Sequence, residues 1–423
     1  MFGKVFEKTR NPVHVVGLRP GILLPPPGVE DILRRAQVLV AGRRLLEAVP
    51  NLCAPELCAP ERTIPIAGPL SPILEDIARE REAGKRVVVL ADGDPLFFGL
   101  GKRLIERLGA PAVHVHPNLC TLQMAAARVG LPWHGVRVVS LHGRDDYGPL
   151  YAALARFEHI AVFTDAENSP AAIAQALLER GVADAALIVL ENLGAPNETA
   201  RRLRLEEAWD LPFADLNLVI VERLAPPEIP LMLGIPDHYY FHEKELITKQ
   251  AVRATGLALL GVPPEATVWD MGSGCGSVAI EASHLAHEGR VYAIEKHARR
   301  AAMIRENVRR IGAWLVETIT GEMPDALSAL PDPDRIFIGG GLGQDTRPLA
   351  VACHRLKPGG RMVIHCILLD TLFRAKEYLH THGWNYGITQ LSASSTERLA
   401  GDLRLRAQNP VFIIWADKPG QPT

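Results

Sequence analysis

The sequence predicts an α/β protein built from two consecutive domains, and three observations carry that expectation. Short β-rich apolar runs alternate with amphipathic stretches from end to end, the pattern of strands and the helices that cover them. A glycine-rich turn, Gly272 to Gly276, stands between a strand-like run and a helical one. Between Ala225 and Pro230 three prolines follow the strand-like run at 216–224 and forbid its regular continuation, which puts the join at 228/229.

In the first domain the strand-like runs are 13–17, 86–91, 112–117, 136–141, 160–164 and 185–191. Helical spacing lies between them, from Ser71 to Ala83, Leu119 to Val129 and Ser169 to Arg180. Ser71-Pro72 and Ser169-Pro170 read as helix caps followed by a first-turn proline, whose missing N–H costs nothing there. A weaker seam near Pro117 suggests two subdomains, about 11–116 and 117–225. In the second domain Thr267–Met271 and Arg290–Glu295 read as buried strands on either side of the glycine turn and its helix.

Composition narrows the function classes. The chain has 423 residues with 48% hydrophobic and 22% charged, a balance typical of packed globular domains. A net charge of −2 and the absence of a basic stripe disfavour nucleic acid as a partner. No apolar run approaches the ~20 residues of a spanning helix, so a cytoplasmic chain without a membrane partner is expected, as a homo-oligomer. The six cysteines (Cys53, Cys58, Cys120, Cys275, Cys353 and Cys366) show no paired metal-ligand spacing; reduced thiols and no metal are expected.

The glycine turn is the sharpest local signal. Glycines at 272, 274 and 276 let the backbone adopt positive φ and approach a ligand, and the following helix offers unpaired N–H groups. Glu295 ends the next strand about 20 residues on, where it can accept hydrogen bonds from ribose hydroxyls. Alone, the pattern also fits a nicotinamide-binding domain. Asp270 before the first glycine, Gly321-Glu322-Met323-Pro324 after a third strand, and Leu356 to Val363 leading into a later strand favour another reading. Over about 234–416 the sequence resembles the class I S-adenosylmethionine methyltransferase fold, and within it the decarboxylating methyltransferase domain of the cobalamin pathway. The family-specific stretches are Gly234 to Asp237, Thr248-Lys249-Gln250-Ala251-Val252-Arg253, the turn with its continuation to Ala282, and Arg335 to Gly341. The resemblance implies cofactor contacts from Thr248, Gly272, Ser273, Gly274, Cys275, Gly276, Glu295, Gly321 and Glu322. Thr248 equally suits a helix cap. Cys275, His297 and His365 depart from the family's usual residues.

In the first domain a strand ends in Ala91-Asp92-Gly93-Asp94-Pro95, a corner that exposes backbone groups. With Val13 to Gly21, Pro117 to Ala127, Val138 to Arg144 and Leu216-Asn217 in that order, residues 11–224 resemble the tetrapyrrole methylase family. That family's two-subdomain fold implies cofactor contacts from Gly93 and Asp94 and from Cys120 and Thr121. Arg19 and Asn118 depart from its pattern, and a weakened first site is one consequence.

The fused arrangement implies S-adenosylmethionine-dependent methylation of a precorrin-type tetrapyrrole at meso carbons 5 and 15, with loss of carbon dioxide from the ring C acetate. Carbon 5 falls to the first domain; carbon 15 and the decarboxylation fall to the second. No catalytic triad is visible, and the carboxylates of the substrate require basic groups. His142 and Arg144 in the first domain and Lys249 and Arg253 in the second are the candidates, against a surface role for each. The rival functions are a nicotinamide oxidoreductase, an RNA methyltransferase, and a carrier of labile tetrapyrroles with one site or none.

Overall fold

The computed structural model describes residues 11–52, 60–340, 342 and 345–419. Five strands open the chain: β1 Val13–Leu18, β2 Val38–Gly42, β3 Arg62–Ile66, β4 Val87–Asp92 and β5 Val113–His116. They form a sheet of order β3-β2-β4-β1-β5, parallel throughout. The second set is β6 Arg137–Ser140, β7 His159–Phe163, β8 Ala185–Glu191, β9 Thr199–Arg204 and β10 Asn217–Arg223, in the order β6-β7-β10-β8-β9. The inner strands of each sheet are runs of Val, Ile and Leu buried on both faces, as strands covered on both sides require; Val13, Val15, Val38, Val87 and Val89 share one such core.

The remaining strands are β11 Thr267–Met271, β12 Arg290–Glu295, β13 Val316–Thr320, β14 Arg335–Ile338, β15 Arg361–Cys366, β16 Asn385–Leu391, β17 Ser394–Leu399, β18 Asp402–Ala407 and β19 Val411–Asp417. Seven of them make one sheet, β13-β12-β11-β14-β15-β19-β16. Its first five strands are parallel, and β19 and β16 run antiparallel. The order reverses between β11 and β14, which stay paired to their carboxyl ends; the connections that follow them lead to opposite sides of the sheet, the usual place for a ligand crevice in an open α/β sheet. Trp269, Met271, Ile294, Ile338 and Ile364 on one face pack with Leu349, Ala352, Leu372 and Leu379 of two covering helices. β17 and β18 pair as a separate hairpin.

Contacts divide the chain into two compact units. One is built from the residues up to Arg144 with Ala161–Gln175 and Ala186–Val221; the other from Asp145–Ile160, Ala176–Ala185 and Glu222 onward. The expected helices occur at Leu70–Glu82, Thr121–Val129 and Pro170–Glu179. Ser169 Oγ accepts from the Ala172 N–H at 3.2 Å and is a true cap. Ser71 is not: the helix begins one residue earlier, with Pro69 as its cap. No helix among the described residues is long and apolar enough to cross a membrane.

Candidate active site

The turn after β11 has the conformation its glycines permit, with φ of +74° at Gly272, +62° at Gly274 and +84° at Gly276. The reasons differ. A Cβ on Gly272 would lie 2.6 Å from the Gly340 carbonyl oxygen, and one on Gly276 would lie 2.9 Å from Ile304. A Cβ on Gly274 would meet nothing within 4 Å. Gly272 and Gly276 are therefore packing glycines, and Gly274 keeps its backbone open toward a cavity.

That cavity measures about 790 Å³, and Gly272, Gly274, Cys275, Glu295, Thr248 and Glu322 stand on its wall. The Glu295 carboxylate accepts the Gly274 N–H at 2.9 Å and the His297 N–H at 3.0 Å. Each oxygen thus keeps a lone pair for a further donor. Gly321 stays behind the wall, its N–H donating to the Glu295 carbonyl oxygen at 3.1 Å, while Glu322 and Met323 reach the cavity. Ser273 lines the cavity, but its hydroxyl donates to Asp270 at 2.6 Å. Asp270 also accepts the Ala279 N–H at 3.1 Å, so one buried carboxylate ties the turn to its helix. Burial pushes that carboxyl up to about 7, with Glu295 adding to the rise.

Thr248 does not cap the following helix. Lys249 holds the cap position before Gln250–Leu260 and makes no side-chain cap bond. Thr248 is free to face the cavity, with its carbonyl held by Arg253.

Arg253 corrects one expectation. Its side chain is fully buried; Nε donates to Glu281 at 2.6 Å, Nη1 to Asp237 at 3.1 Å, and further bonds reach the Thr248 and Ile235 carbonyls. A guanidinium surrounded in this way has no face left for a substrate carboxylate. Glu281, equally buried, accepts the N–H groups of Gly234 and Ile235 at 2.8 and 3.0 Å and the Tyr240 hydroxyl at 3.2 Å. The Arg253–Glu281 pair pins the 234–237 segment against the Thr248 loop, and Asp237 of that segment lines the cavity. Two of the family-specific stretches are thus linked by one ion pair. Lys249 does line the cavity, and it pairs there with exposed Glu245.

Three further basic residues line the cavity that the sequence motifs do not single out: Lys296, Arg300 and Arg406. Lys296 follows Glu295 directly and is the one the motif could have reached; Arg406 comes from β18, far along the chain. His365 also faces the cavity at the end of β15, and among the described residues neither of its ring nitrogens has a hydrogen-bond partner. Burial lowers its pKa to about 4, so the ring is neutral at physiological pH, able to donate one hydrogen bond and accept one. Gly256 makes room for it, since a Cβ there would lie 2.4 Å from His365 Nε2.

The first unit brings its predicted residues together differently. Gly93 has φ of +65° and donates its N–H to the Leu18 carbonyl at 2.7 Å. A Cβ on Gly17 would lie 2.1 Å from the Gly93 carbonyl oxygen, and one on Gly93 would lie 3.0 Å from Cys120 Cα. The ends of β1 and β4 and the loop before Thr121 therefore meet at one point. Asp94 accepts the Leu96 N–H at 2.8 Å, which shapes the corner. Cys120 caps the Thr121–Val129 helix, and its N–H donates to Gln123 at 2.9 Å. Its thiol is buried, and burial raises its pKa. Asn118 donates to the Gly17 and Leu24 carbonyls at 3.0 and 2.9 Å, bridging the first loop, in which Arg19 pairs with Leu24.

His142 and Arg144 are exposed on the loop after β6. The His142 ring donates from Nδ1 to the Thr164 carbonyl at 3.1 Å. Asn168 holds the Leu141 and Arg144 carbonyls at 3.0 Å each, fixing the loop's backbone. Phe97 and Phe98 of the Gly93 corner pack on Phe163 at 5.9 and 5.5 Å between ring centroids, and the Phe163 carbonyl accepts the Leu141 N–H. The corner and the His142 loop are thus one step apart. Cys120, Cys275, Cys353 and Cys366 are free thiols; Cys53 and Cys58 lie outside the described residues, as does Gly341.

Comparison with known proteins agrees with both halves. Residues 12–208 match the tetrapyrrole (corrin/porphyrin) methylases, and residues 239–418 match the precorrin methyltransferase domain. The chain is similar to the precorrin-6Y C(5,15)-methyltransferase [decarboxylating] of a Sinorhizobium species, 32% identical over 345 residues, 80% of each chain. It is 31% identical over 344 residues to the Mycobacterium tuberculosis (strain CDC 1551 / Oshkosh) protein of that name, covering 80% of this chain and 83% of the other. A probable cobalt-precorrin-6B C(15)-methyltransferase (decarboxylating) of Saccharolobus solfataricus is 35% identical over 191 residues, 44% of this chain and 96% of that protein. Among solved structures, a precorrin-6y C5,15-methyltransferase from Geobacter metallireducens is 38% identical over 45% of this chain and all of that one, with a TM-score of 0.43.

Proposed function

Because the chain belongs to the precorrin-6Y C5,15-methyltransferase (decarboxylating) family, we propose that it methylates precorrin-6Y at meso carbons 5 and 15 and removes the ring C acetate carboxyl as carbon dioxide, forming precorrin-8 in cobalamin biosynthesis. The two methyl groups come from S-adenosylmethionine. The proposal places carbon 5 in an N-terminal domain, residues 1–228, and carbon 15 with the decarboxylation in a C-terminal domain, residues 229–423. A C(15) relative, 96% of which aligns with 44% of this chain, is consistent with a C(15) activity carried by one domain.

The observation that carries the reading is the rim of the 790 Å³ cavity, where Gly274 presents open backbone beside the Glu295 carboxylate. A ribose needs a two-oxygen acceptor, and Glu295 has one lone pair free on each oxygen. A sulfonium-bearing cofactor also needs close backbone approach, which Gly274 gives and any side chain would deny. When bound, S-adenosylmethionine supplies a methyl group that is already electrophilic, so the protein need not activate it chemically.

The chain's own task is then positioning. The Arg253–Glu281 pair holds the Thr248 loop and the 234–237 segment together on the cavity wall. A substrate carboxylate finds Lys249, Lys296, Arg300 and Arg406 around it, and cations next to an anion in a partly dry site hold it strongly. Lys249 and, in the first domain, His142 and Arg144 are the substrate contacts proposed from sequence. Neutral His365 brings no charge to the acetate carboxylate, so burial there favours cleavage of its C–C bond: carbon dioxide leaves, the bonding electron pair passes into the macrocycle, and the carbon left behind takes up a proton.

A second reading is favoured by Asn118. Its amide bridges two carbonyls of the first loop, where the resemblance leads one to expect a bare glycine, and a first domain that holds the tetrapyrrole without transferring methyl is the result. Anaerobic incubation with precorrin-6Y and methyl-labelled S-adenosylmethionine separates the two. Product carrying both methyl groups and lacking one carboxyl supports the full reaction. One methyl with decarboxylation supports the second reading, and unchanged substrate overturns both.

A further inference from the structure

His14 on β1 lies in register with His114 on the edge strand β5, and His116 follows two residues on, so the three side chains leave one face of the sheet together. Their ring centroids are 5.4, 5.3 and 4.6 Å apart. His14 Nδ1 and His116 Nε2 are separated by 3.0 Å, and a ligand atom from each of the three lies within 4.8 Å of the others. Among the described residues no other group of three metal-ligating side chains comes so close. Nothing in the sequence spacing announces it, because His14 and His114 are a hundred positions apart and meet only through the parallel pairing of β1 with β5.

A polar edge would explain one histidine on β5, since edges are commonly blunted by polar side chains, most often Lys. It does not explain three imidazoles converging with no carboxylate among them. The geometry points to a binding site for one first-row divalent transition-metal ion, held by the imidazoles of His14, His114 and His116, that ties β5 to β1. Imidazole nitrogens are preferred by zinc, copper and nickel over magnesium or calcium. Ligand nitrogens about 2.0–2.1 Å from a tetrahedral ion stand roughly 3.3 Å apart, close to the 3.0 Å already present between His14 and His116. The remaining position goes to solvent at the sheet edge. β5 runs directly into Pro117, Asn118 and Cys120, so an ion here braces the strand that carries the first unit's loop.

The test uses the full chain without an affinity tag, stripped with a chelator and titrated with Co²⁺ under visible absorption. We expect saturable binding of one equivalent with the d–d bands of nitrogen ligation, reversed by Zn²⁺, and a rise in thermal midpoint with Zn²⁺. His114→Ala removes a ligand at the sheet edge with little packing to lose, and His116→Ala removes another; each lowers the affinity at least tenfold and abolishes the Zn²⁺-dependent rise. Unchanged far-UV circular dichroism identifies the variants as folded. If the stripped chain shows no saturation at millimolar Co²⁺, or if both folded variants bind as tightly as the parent, the site does not exist.

Discussion

The two glycine corners each turn the chain at the end of a strand, by opposite means. The turn after β11 is continuous in sequence: three glycines within five residues, a carboxylate on the next strand, and a buried acid beneath. The corner after β4 has one positive-φ glycine, and its partners come from far away, Gly17 at the end of β1 and Cys120 before a distant helix. A continuous turn is stabilised locally, chiefly by Asp270. A composite corner depends on the strand order β4-β1-β5 that brings the pieces together. The first should tolerate changes elsewhere in the fold and fail when its own residues change; the second should show the reverse.

The sharpest way to break the comparison is to remove the ion pair beside the second turn. Arg253→Met leaves Glu281 as an unpaired charge in a fully buried place, an error that costs about 3–5 kcal/mol. Chemical denaturation should show that loss in the transition of the C-terminal part. If the variant instead keeps its stability and only KM for the tetrapyrrole rises, Arg253 is a substrate ligand after all and the packing account is wrong.

A second prediction concerns pH, where two buried groups on the second turn's side oppose each other. His365 has a folded pKa near 4, below its ordinary 6.5, so the stability tied to its neutral ring is present above 6.5 and is lost as pH falls toward 4. Asp270 has a folded pKa near 7, above its ordinary 3.8, so its contribution is present below 3.8 and is lost as pH rises through 7. Each is worth on the order of 3–4 kcal/mol across its window, and in the parent chain the two largely cancel between pH 4 and 7. Asp270→Asn should therefore leave a stability that climbs with pH, and His365→Asn one that declines. Denaturation midpoints at pH 4.5, 5.5 and 6.5 read this directly (values on the order of one unit apart, inside both windows); flat profiles for both variants would show that neither group titrates as its burial requires.

These two residues also show what could be read in advance. The α/β alternation, the glycine turn, Glu295 and the helices at Leu70–Glu82 and Pro170–Glu179 follow from local periodicity, which the chain displays openly. Asp270 falls in a strand that reads as buried, but the donors to its carboxyl could not be read, because Ser273 and Ala279 reach it only once the turn and its helix fold back over it. Arg253 is a candidate in the sequence because the substrate's carboxylates need basic groups; the partner that claims it, Glu281, is 28 positions away. The histidines of β1 and β5, like Gly17 against Gly93, are long-range coincidences created by strand order. Charge and periodicity reveal elements, and only the pairing of elements reveals which charges are spent inside.

A smaller effect sharpens the contrast at the cofactor. Glu295→Gln replaces one acceptor by a donor, losing the charge and one of the two bonds from the Gly274 and His297 N–H groups, and hydrogen bonds to a charged group are worth about 1.5–3 kcal/mol. Calorimetric titration with S-adenosylhomocysteine should show that one site weakens roughly ten- to a hundredfold while a second, in the first unit, is untouched. Two sites weakened together would mean that the corners are not independent.

The smallest expected effect falls on the composite corner. Asn118→Gly removes two hydrogen bonds to the first loop, from the amide to the Gly17 and Leu24 carbonyls. One of these neutral bonds is half-buried and the other exposed, worth about 0.5 kcal/mol each, and the added glycine loosens the unfolded chain by up to about 1 kcal/mol, so the first unit should lose about 1–2 kcal/mol. Its cofactor affinity should nevertheless rise, because the bridging amide no longer competes for the space beside Gly93. A drop in both quantities together would show instead that Asn118 is the scaffold of that site, with the composite corner depending on it as the continuous turn depends on Asp270.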